Sequence, residues 1–394
     1  EPREWLLKQP RADARWGTPE PADAGARRRN VLLTAYVTRV LARTESESSI
    51  QLTRALDFLG QASKEIDEPY LLASYALAAI DAKDSARSKP LIEKLRVLAH
   101  QEGNTNYWAL ETNTPFYGWG LAGRIETTAV VVQALAKNCD SQTAACDADR
   151  KLVNRGLLFL LKQKDRYGVW YSTQATVNVL DAMLLLFSTN GQDKSVAQSA
   201  GDVFVNGTRV QSVEMNDRLN NPITVDISQY LKVGKNRVEI KRTQGSAVAS
   251  VQAVANYYAP WTDARDRSQP DLRLQVKFDK TLAKINDEIT CRVDAARVGF
   301  RGYGMMLAEI GIPPGAEVDR SSLEAAMKDW AVSQYDVLPD RIVVYLWPKA
   351  GGVSFNFKFR PRFGLKAKSA ASILYDYYNP EATVVRPPSA FTVR

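Results

Sequence analysis

Tyr167-Gly168-Val169-Trp170-Tyr171-Ser172-Thr173-Gln174-Ala175-Thr176 is the stretch on which the reading of this chain turns. A glycine set among aromatics opens the last of a run of helices, and past Gly191 the spacing of apolar residues changes. Upstream of it, from about residue 30, the period is helical. Leu33, Tyr36, Val37, Val40 and Leu41 fall at i, i+3, i+4, i+7 and i+8, one face of a helix with Asn30 as its N-cap. Leu52, Ala55, Leu56 and Leu59 repeat the pattern. Leu72, Tyr75, Ala76, Ala79 and Ile80 do so in a segment apolar nearly all round, which places it in the interior. Pro90 reads as a first helical residue, followed by Leu91, Leu95 and Leu98. Further helices centre near Val131, Leu157 and Leu180. The centres recur about every 20 residues, with one longer gap over Trp108–Gly123, the signature of stacked helical hairpins in an α/α toroid or α-solenoid. About seven helices are legible, too few to close a toroid, so the remainder would precede Glu1.

Downstream the period becomes two. Val203-Phe204-Val205-Asn206-Gly207-Thr208-Arg209-Val210 places Asn-Gly between short apolar runs, a strong hairpin signal. Ile223–Ile227, Asn236–Lys241 and Ala247–Tyr258 read as further strands, and Pro260–Pro270 as a linker. Beyond it Leu272, Leu274, Val276 and Phe278 alternate with polar residues. So do Ile289, Cys291, Val293 and Ala295, and so do Val353, Phe355, Phe357 and Phe359. The pattern is that of an antiparallel sandwich with one face of each sheet buried. One helix interrupts it from Ser322 to about Gln334, with Leu323, Met327, Trp330 and Ala331 turned inward.

Composition narrows the function classes. Hydrophobic content of 45% and charged content of 24% over 394 residues fit a multidomain globular chain. No apolar run is long enough to span a membrane. The chain opens Glu1-Pro2-Arg3, which reads as a processed or truncated piece, so membrane association would need an anchor preceding it. The formal charge of +8 comes from scattered residues without a nucleic-acid-binding pattern. The one dense run, Arg27-Arg28-Arg29, reads as a solvated loop. Cys139 and Cys146 bound a short polar stretch and suggest a disulfide and an oxidising, extracytoplasmic location; two free thiols are the other reading.

The chemistry-bearing residues are sparse. The single histidine, His100, stands at the end of a predicted helix with no nucleophile elbow nearby, and reads as structural. Cys291 lies in a different domain from the other two cysteines, so no zinc site forms, and neither a phosphate loop nor an EF-hand is present. No cofactor or metal is expected. Two aromatic clusters, Phe116-Tyr117-Gly118-Trp119-Gly120 and Tyr167–Tyr171, could line a sugar or prenoid pocket, with Glu126 and Asp181 as acid and base. That supplies an alternative, an α/α-toroid plus β-sandwich carbohydrate-active enzyme, either polysaccharide lyase or hydrolase. Because no further residue converges on the pair, the aromatics read as plugs at the helix ends.

Five strings then carry a resemblance. Val31-Leu32-Leu33-Thr34-Ala35-Tyr36-Val37 resembles the "TLTAYV" helix of alpha-2-macroglobulin and complement thioester domains, and Ile125-Glu126-Thr127-Thr128-Ala129 their "E-x-T-x-Y" helix start, with Val130 where the aromatic would often stand. The opening stretch resembles their "STQ-x-T" segment, the most specific of the matches. Ile342-Val343-Val344-Tyr345-Leu346 and Leu374-Tyr375-Asp376-Tyr377-Tyr378 resemble paired strands of their receptor-binding domain. The ordered set covers nearly the whole chain. It implies the later hairpins of a thioester toroid over 1–190, returning strands of a CUB-like domain over 191–261, and a macroglobulin-like receptor-binding sandwich over 262–394.

The function implied is that of a protease-trapping inhibitor and not an enzyme. Such a protein captures proteases or surfaces covalently, through a thioester between a Cys and a Gln three residues on. No Cys here is followed by Glu-Gln, so the reactive bond is expected outside this chain, and none of the three cysteines takes that role. The histidine that assists transfer in some relatives would fall before Val31, where there is none; a preference for amines is implied. The receptor-binding lysine pair reduces to Lys328, so a homologous receptor is not expected. The resemblance leans to a bacterial, periplasmic, surface or secreted member with proteases as partners. It also implies that aromatics of the last domain shield the thioester. Tyr345, Tyr375, Tyr377 and Tyr378 are the candidates. Alternation sets Tyr375 and Tyr377 on one face of a strand and Tyr378 on the other, with Tyr377 favoured as the guard.

Overall fold

A computed structural model describes residues 2–8, 15–17, 24–44, 50–110, 112–139, 144–164, 169–190, 199–215, 223–245, 251, 253–255, 271–298 and 304–394. The Pro260–Pro270 linker, Tyr167, Gly168 and most of the proposed strand Ala247–Tyr258 lie outside them. Residues 184–256 pack as one unit; residues 1–183 together with 257–394 form the other.

The larger unit begins with helices α1 (Pro2–Lys8), α2 (Ala24–Ala42), α3 (Ile50–Glu65), α4 (Pro69–Asp81), α5 (Ser85–Val97), α6 (Gly120–Asn138), α7 (Ala144–Lys162) and α8 (Thr173–Asn190). A small hairpin, β1 (His100–Glu102) and β2 (Thr105–Tyr107), separates α5 from α6. α2, α4 and α6 lie successively side by side, while α3 packs on α2, α5 on α4 and α7 on α6. This two-layer arrangement is the partial α/α toroid. The layer assignment follows from composition: α4, an inner helix, has Tyr70 through Ala79 all buried, so it has no polar face to give to water. Its proline, Pro69, sits in the first turn, where its missing N–H costs nothing.

Three details differ from the sequence reading. α2 starts six residues before Asn30, and Arg27–Arg29 are helical, not loop. Arg28 faces Glu68, which is buried at 1% exposure, at 2.7 Å, so this tertiary ion pair helps hold the extra turn. Pro90 lies inside α5 and does not begin it. The start is set upstream by Asp84, which accepts the Arg87 N–H at 3.0 Å and receives the Arg87 guanidinium as well. His100 belongs to β1 and not to a helix end; exposed, it stacks on Tyr107 at 5.2 Å.

In the smaller unit β3 (Ser199–Val205) pairs on one side with β4 (Thr208–Met215) and on the other with β5 (Val238–Gln244). Asn206 and Gly207, at φ 51° and 86°, make the tight turn that their sequence announces. Ile223–Ile227 is not a strand. Both edges of β3 are already taken, and Asp226 draws the chain into a turn by accepting the Ser228 N–H at 2.9 Å.

The remaining strands of the larger unit are β6 (Leu272–Phe278), β7 (Leu282–Ala283), β8 (Ile289–Arg297), β9 (Met306–Gly311), β10 (Ala316–Asp319), β11 (Gln334–Val337), β12 (Arg341–Leu346), β13 (Val353–Pro361), β14 (Leu365–Lys368), β15 (Ser372–Asp376), β16 (Asn379–Arg386) and β17 (Ala390–Val393). A four-stranded sheet ordered β10-β13-β8-β6 faces a five-stranded sheet ordered β11-β12-β9-β15-β16. Within the four-stranded sheet Phe355, Phe357 and Phe359 pair in register with Val293, Cys291 and Ile289, and this inner face shares one core with Ile310, Val344 and Leu374 of the other sheet. Cys291 is buried there, and burial pushes its thiol far above the ordinary range, which makes it inert packing.

The sandwich helix is shorter than the sequence suggests. α9 spans Arg320–Lys328, buries Leu323 and Ala326, and leaves Met327 and Trp330 exposed. Trp330, at φ 57°, lies past the helix in the left-handed turn that ends it. The proposed strand through Tyr378 is also cut short, because β15 ends at Asp376 and Tyr377-Tyr378 form a two-residue turn into β16.

Candidate functional site

The helical layer and the sandwich meet at the loop before α6 and the turn after β15. The loop is built on a buried acid. Glu126, in the second turn of α6, is 1% exposed, and its Oε2 accepts the Thr114 hydroxyl at 2.8 Å. Thr114 Oγ1 in turn accepts the Gly118 N–H at 2.9 Å, and the Thr114 N–H reaches the Gly118 carbonyl at 2.8 Å. The segment is thereby folded into a closed turn lying on the carboxyl group. Glycine is required at 118, because a Cβ there would stand 2.9 Å from Glu126 Oε2. Among the described residues Glu126 Oε1 makes no hydrogen bond. Burial pushes the acid up to about 7; the Thr114 hydrogen bond, Arg39 on α2 and Tyr70 on α4 pull the other way. Burial also raises the Tyr70 phenol well above its ordinary value, with Glu126 adding to the effect.

On its outer side the same loop presents aromatics. Tyr117, at φ 66°, stacks on Tyr378 with ring centroids 5.7 Å apart and meets Trp347 edge-on at 6.3 Å. Trp119 enters the sandwich core and donates its indole N–H to Asp376 Oδ2 at 2.9 Å. Arg297 of β8 binds the same oxygen and lies over the Trp119 ring at 5.6 Å. Asp376 Oδ1 accepts the N–H groups of Tyr378 at 2.8 Å and Asn379 at 2.9 Å. One fully buried carboxylate therefore closes the turn, pairs a strand arginine and anchors the helical layer. Gly120, at φ 55°, admits Asn379, whose side-chain nitrogen would be 2.5 Å from a Cβ.

The four shielding candidates divide between two places. Tyr345 and Tyr375 both lie opposite Leu307 in register, on the outer face of the five-stranded sheet. Burial, and then the charge of Glu309, pushes the Tyr375 phenol up to about 12. Tyr377 is 45% exposed and edge-on to Tyr378 at 5.3 Å. Tyr378 alone of the four stacks on an aromatic of the helical layer.

The alternative acid–base pair is not brought together. Asp181 is 43% exposed, with Arg43 at 3.9 Å, whereas Glu126 is sealed beneath Gly118. Trp170 is buried, donating to the Leu160 carbonyl at 2.7 Å, which makes it a plug. Among the described residues no group of three or more His, Cys, Asp and Glu could hold a metal ion. In these residues, too, no helix is long and apolar enough to cross a membrane. Cys139, at the end of α6, is disulfide-bonded to Cys146 in α7, with Cα atoms 5.1 Å apart; residues 140–143 between them lie outside the described set.

Phe116–Gly120 stands out in the sequence as an aromatic cluster, but what it touches does not. Trp119, Arg297, Asp376 and Asn379 carry the contact. Two glycines bracketing a tryptophan, and an aspartate three residues before Asn379, were the available signals.

Residues 2–184 match the family model of the A-macroglobulin TED domain, and residues 302–387 that of the A-macroglobulin receptor binding domain. Among solved structures, native alpha-2-macroglobulin from Escherichia coli, spanning domain MG7 to the C-terminus, aligns with 100% of this chain and 58% of its own, at TM-score 0.59 and 11% identity. Salmonella alpha-2-macroglobulin reacted with methylamine aligns with 99% of this chain and 24% of its own, at TM-score 0.55 and 13% identity. At these identities the likeness is one of fold, and the chain spans 58% or less of the length of either structure.

Proposed function

Because this chain belongs to the A-macroglobulin family, we propose that it is the C-terminal part of a bacterial-type protease trap, in which the sandwich docks on the helical layer to keep a thioester from water. The observation that supports this reading is the aromatic contact of Tyr117 and Trp119 with Tyr378, Trp347 and Asp376. An acyl thioester persists only while desolvated, and tyrosine supplies a large, stiff apolar face with a polar tip for such a cover. In this reading Tyr378 fixes the dock. Tyr377, half exposed beside it, is the cover itself, with Tyr345 and Tyr375 as its wall. The Cys and Gln of the thioester come from residues outside this chain, and the trapped partners are proteases. The domains divide near 190 and 261, the protein works outside the cytoplasm, and the chain turns over no substrate.

Methylamine tests this in the protein that contains the thioester. The amine attacks the acyl carbon, the C–S bond breaks, and one thiol is released per thioester consumed. Tyr377→Ala and Tyr345→Ala are expected to speed thiol release without unfolding the sandwich. Release at the wild-type rate in both removes the shielding assignment. Polysaccharide turnover abolished by Glu126→Gln would favour a carbohydrate enzyme instead.

A further inference from the structure

We propose that docking of the sandwich on the helical layer is linked to uptake of a proton by Glu126, so that the contact tightens on acidification and is weakest once the docked acid has ionised. The inference needs only the contact within this chain, and stands or falls independently of any thioester.

The geometry places the acid one residue-layer beneath the contact. Gly118 lies directly on the carboxyl, and Tyr117, its neighbour, lies directly on Tyr378 and Trp347. Glu126 is faced by Arg39 from α2, by Tyr70 from α4 and by Thr114 from the loop. Arg39 gives one guanidinium nitrogen to Asn178 of α8, at 3.1 Å, while its charge favours the ionised acid. When the sandwich lifts, Tyr117 and Trp119 lose their partners, and the Thr114–Gly118 turn that lies on the carboxyl loses its outer support. Water then reaches it, and its proton affinity falls toward that of an ordinary glutamic acid. Docked, burial holds it up to about 7.

Linkage makes the effect reciprocal. If docking raises the proton affinity, protonation must strengthen docking by the same factor, about tenfold for each pK unit. The other charged groups at the contact do not compete for this role. Asp376 and Arg297 both belong to the sandwich and keep each other when it lifts. The phenol of Tyr378 is raised by burial, away from neutrality.

The test uses the full chain. With 13C-labelled glutamate, the Glu126 carboxyl signal is followed through pH in the wild type and in Trp119→Ala, with small-angle scattering reporting docking on the same samples. Expected is a titration near neutrality in the wild type and a midpoint lower by more than one unit in undocked Trp119→Ala. The undocked fraction of the wild type should grow by up to about tenfold per pH unit between the two midpoints and level off above the docked one, and that of Glu126→Gln should stay constant. An unchanged Glu126 midpoint in a variant that scattering shows to be undocked overturns the proposal. So does a pH-dependent undocked fraction that survives Glu126→Gln. Should Glu126→Gln not fold, the Trp119→Ala comparison decides alone, because it leaves the acid in place.

Discussion

At the scale of single residues, Glu126 inverts the usual behaviour of a carboxylate. Most native acids are held below their unfolded values, so proteins lose stability as acid is added. Here burial raises the folded value to about 7 from 4.5, and the folded state binds the proton more tightly between those limits. The stability contribution is therefore complete below about pH 4.5 and is lost as pH rises through about 7, with a ceiling of roughly 3 kcal/mol. Denaturant midpoints measured from pH 5 to 8 should show this term, and Glu126→Gln should remove it and gain most at pH 8. A variant whose midpoint keeps the wild-type pH profile would show that Glu126 is hydrated. Gly120 offers a second prediction. With φ at 55° and Asn379 in the place of a Cβ, Gly120→Ala should cost about 1–3 kcal/mol and loosen the sandwich contact before it melts the helices. Hydrogen exchange in β16, compared with α4, would show whether that order holds.

At the scale of elements, the bridge from Cys139 to Cys146 staples the end of α6 to the beginning of α7. Closing so short a loop contributes about 2.5 kcal/mol on the chain-entropy estimate. Non-reducing peptide maps should recover the linked pair from native protein, and reduction should lower the melting temperature by a few degrees. Two freely alkylatable thiols would remove both the bridge and the compartment argument built on it. Elements of this kind also show what the sequence could reveal. β6, β8 and β13 were legible because burial on one face alone writes a period of two into the chain, and the Asn206-Gly207 turn because few other residues accept its dihedrals. The end of β15 was not legible from periodicity. Leu374 to Tyr378 continues to look like a strand until the Asp376 side chain captures the N–H groups of Tyr378 and Asn379. A side chain competing with the sheet ladder decides that boundary, and no count of apolar spacing registers it. Pro90 misled for a related reason, since the cap that starts α5 lies six residues before it, at Asp84.

At the scale of the whole molecule, α8 carries an apolar stripe that is exposed among the described residues. Val177, Leu180 and Leu184 follow one another at helical spacing and are 46%, 47% and 66% exposed. The chain on its own should bind apolar dyes more strongly than a typical monomer, or pair through this face, and Leu180→Asp with Leu184→Asp should abolish either behaviour. A dye-silent monomer would mean that the stripe is covered. The buried carboxylate at the junction has a consequence for the order in which the molecule assembles. Trp119 and its acceptor are 257 residues apart. During synthesis the tryptophan emerges long before the oxygen it will bind. That oxygen is aimed at the helical layer only once the last hairpin has closed on Asp376 and Arg297 has swung in. Assembly thus has the logic of a conjunction, in which docking goes ahead only after two separate events inside the sandwich are complete. Docking is then expected to follow the closing of the turn after β15, and an unclosed turn leaves Trp119 without its acceptor.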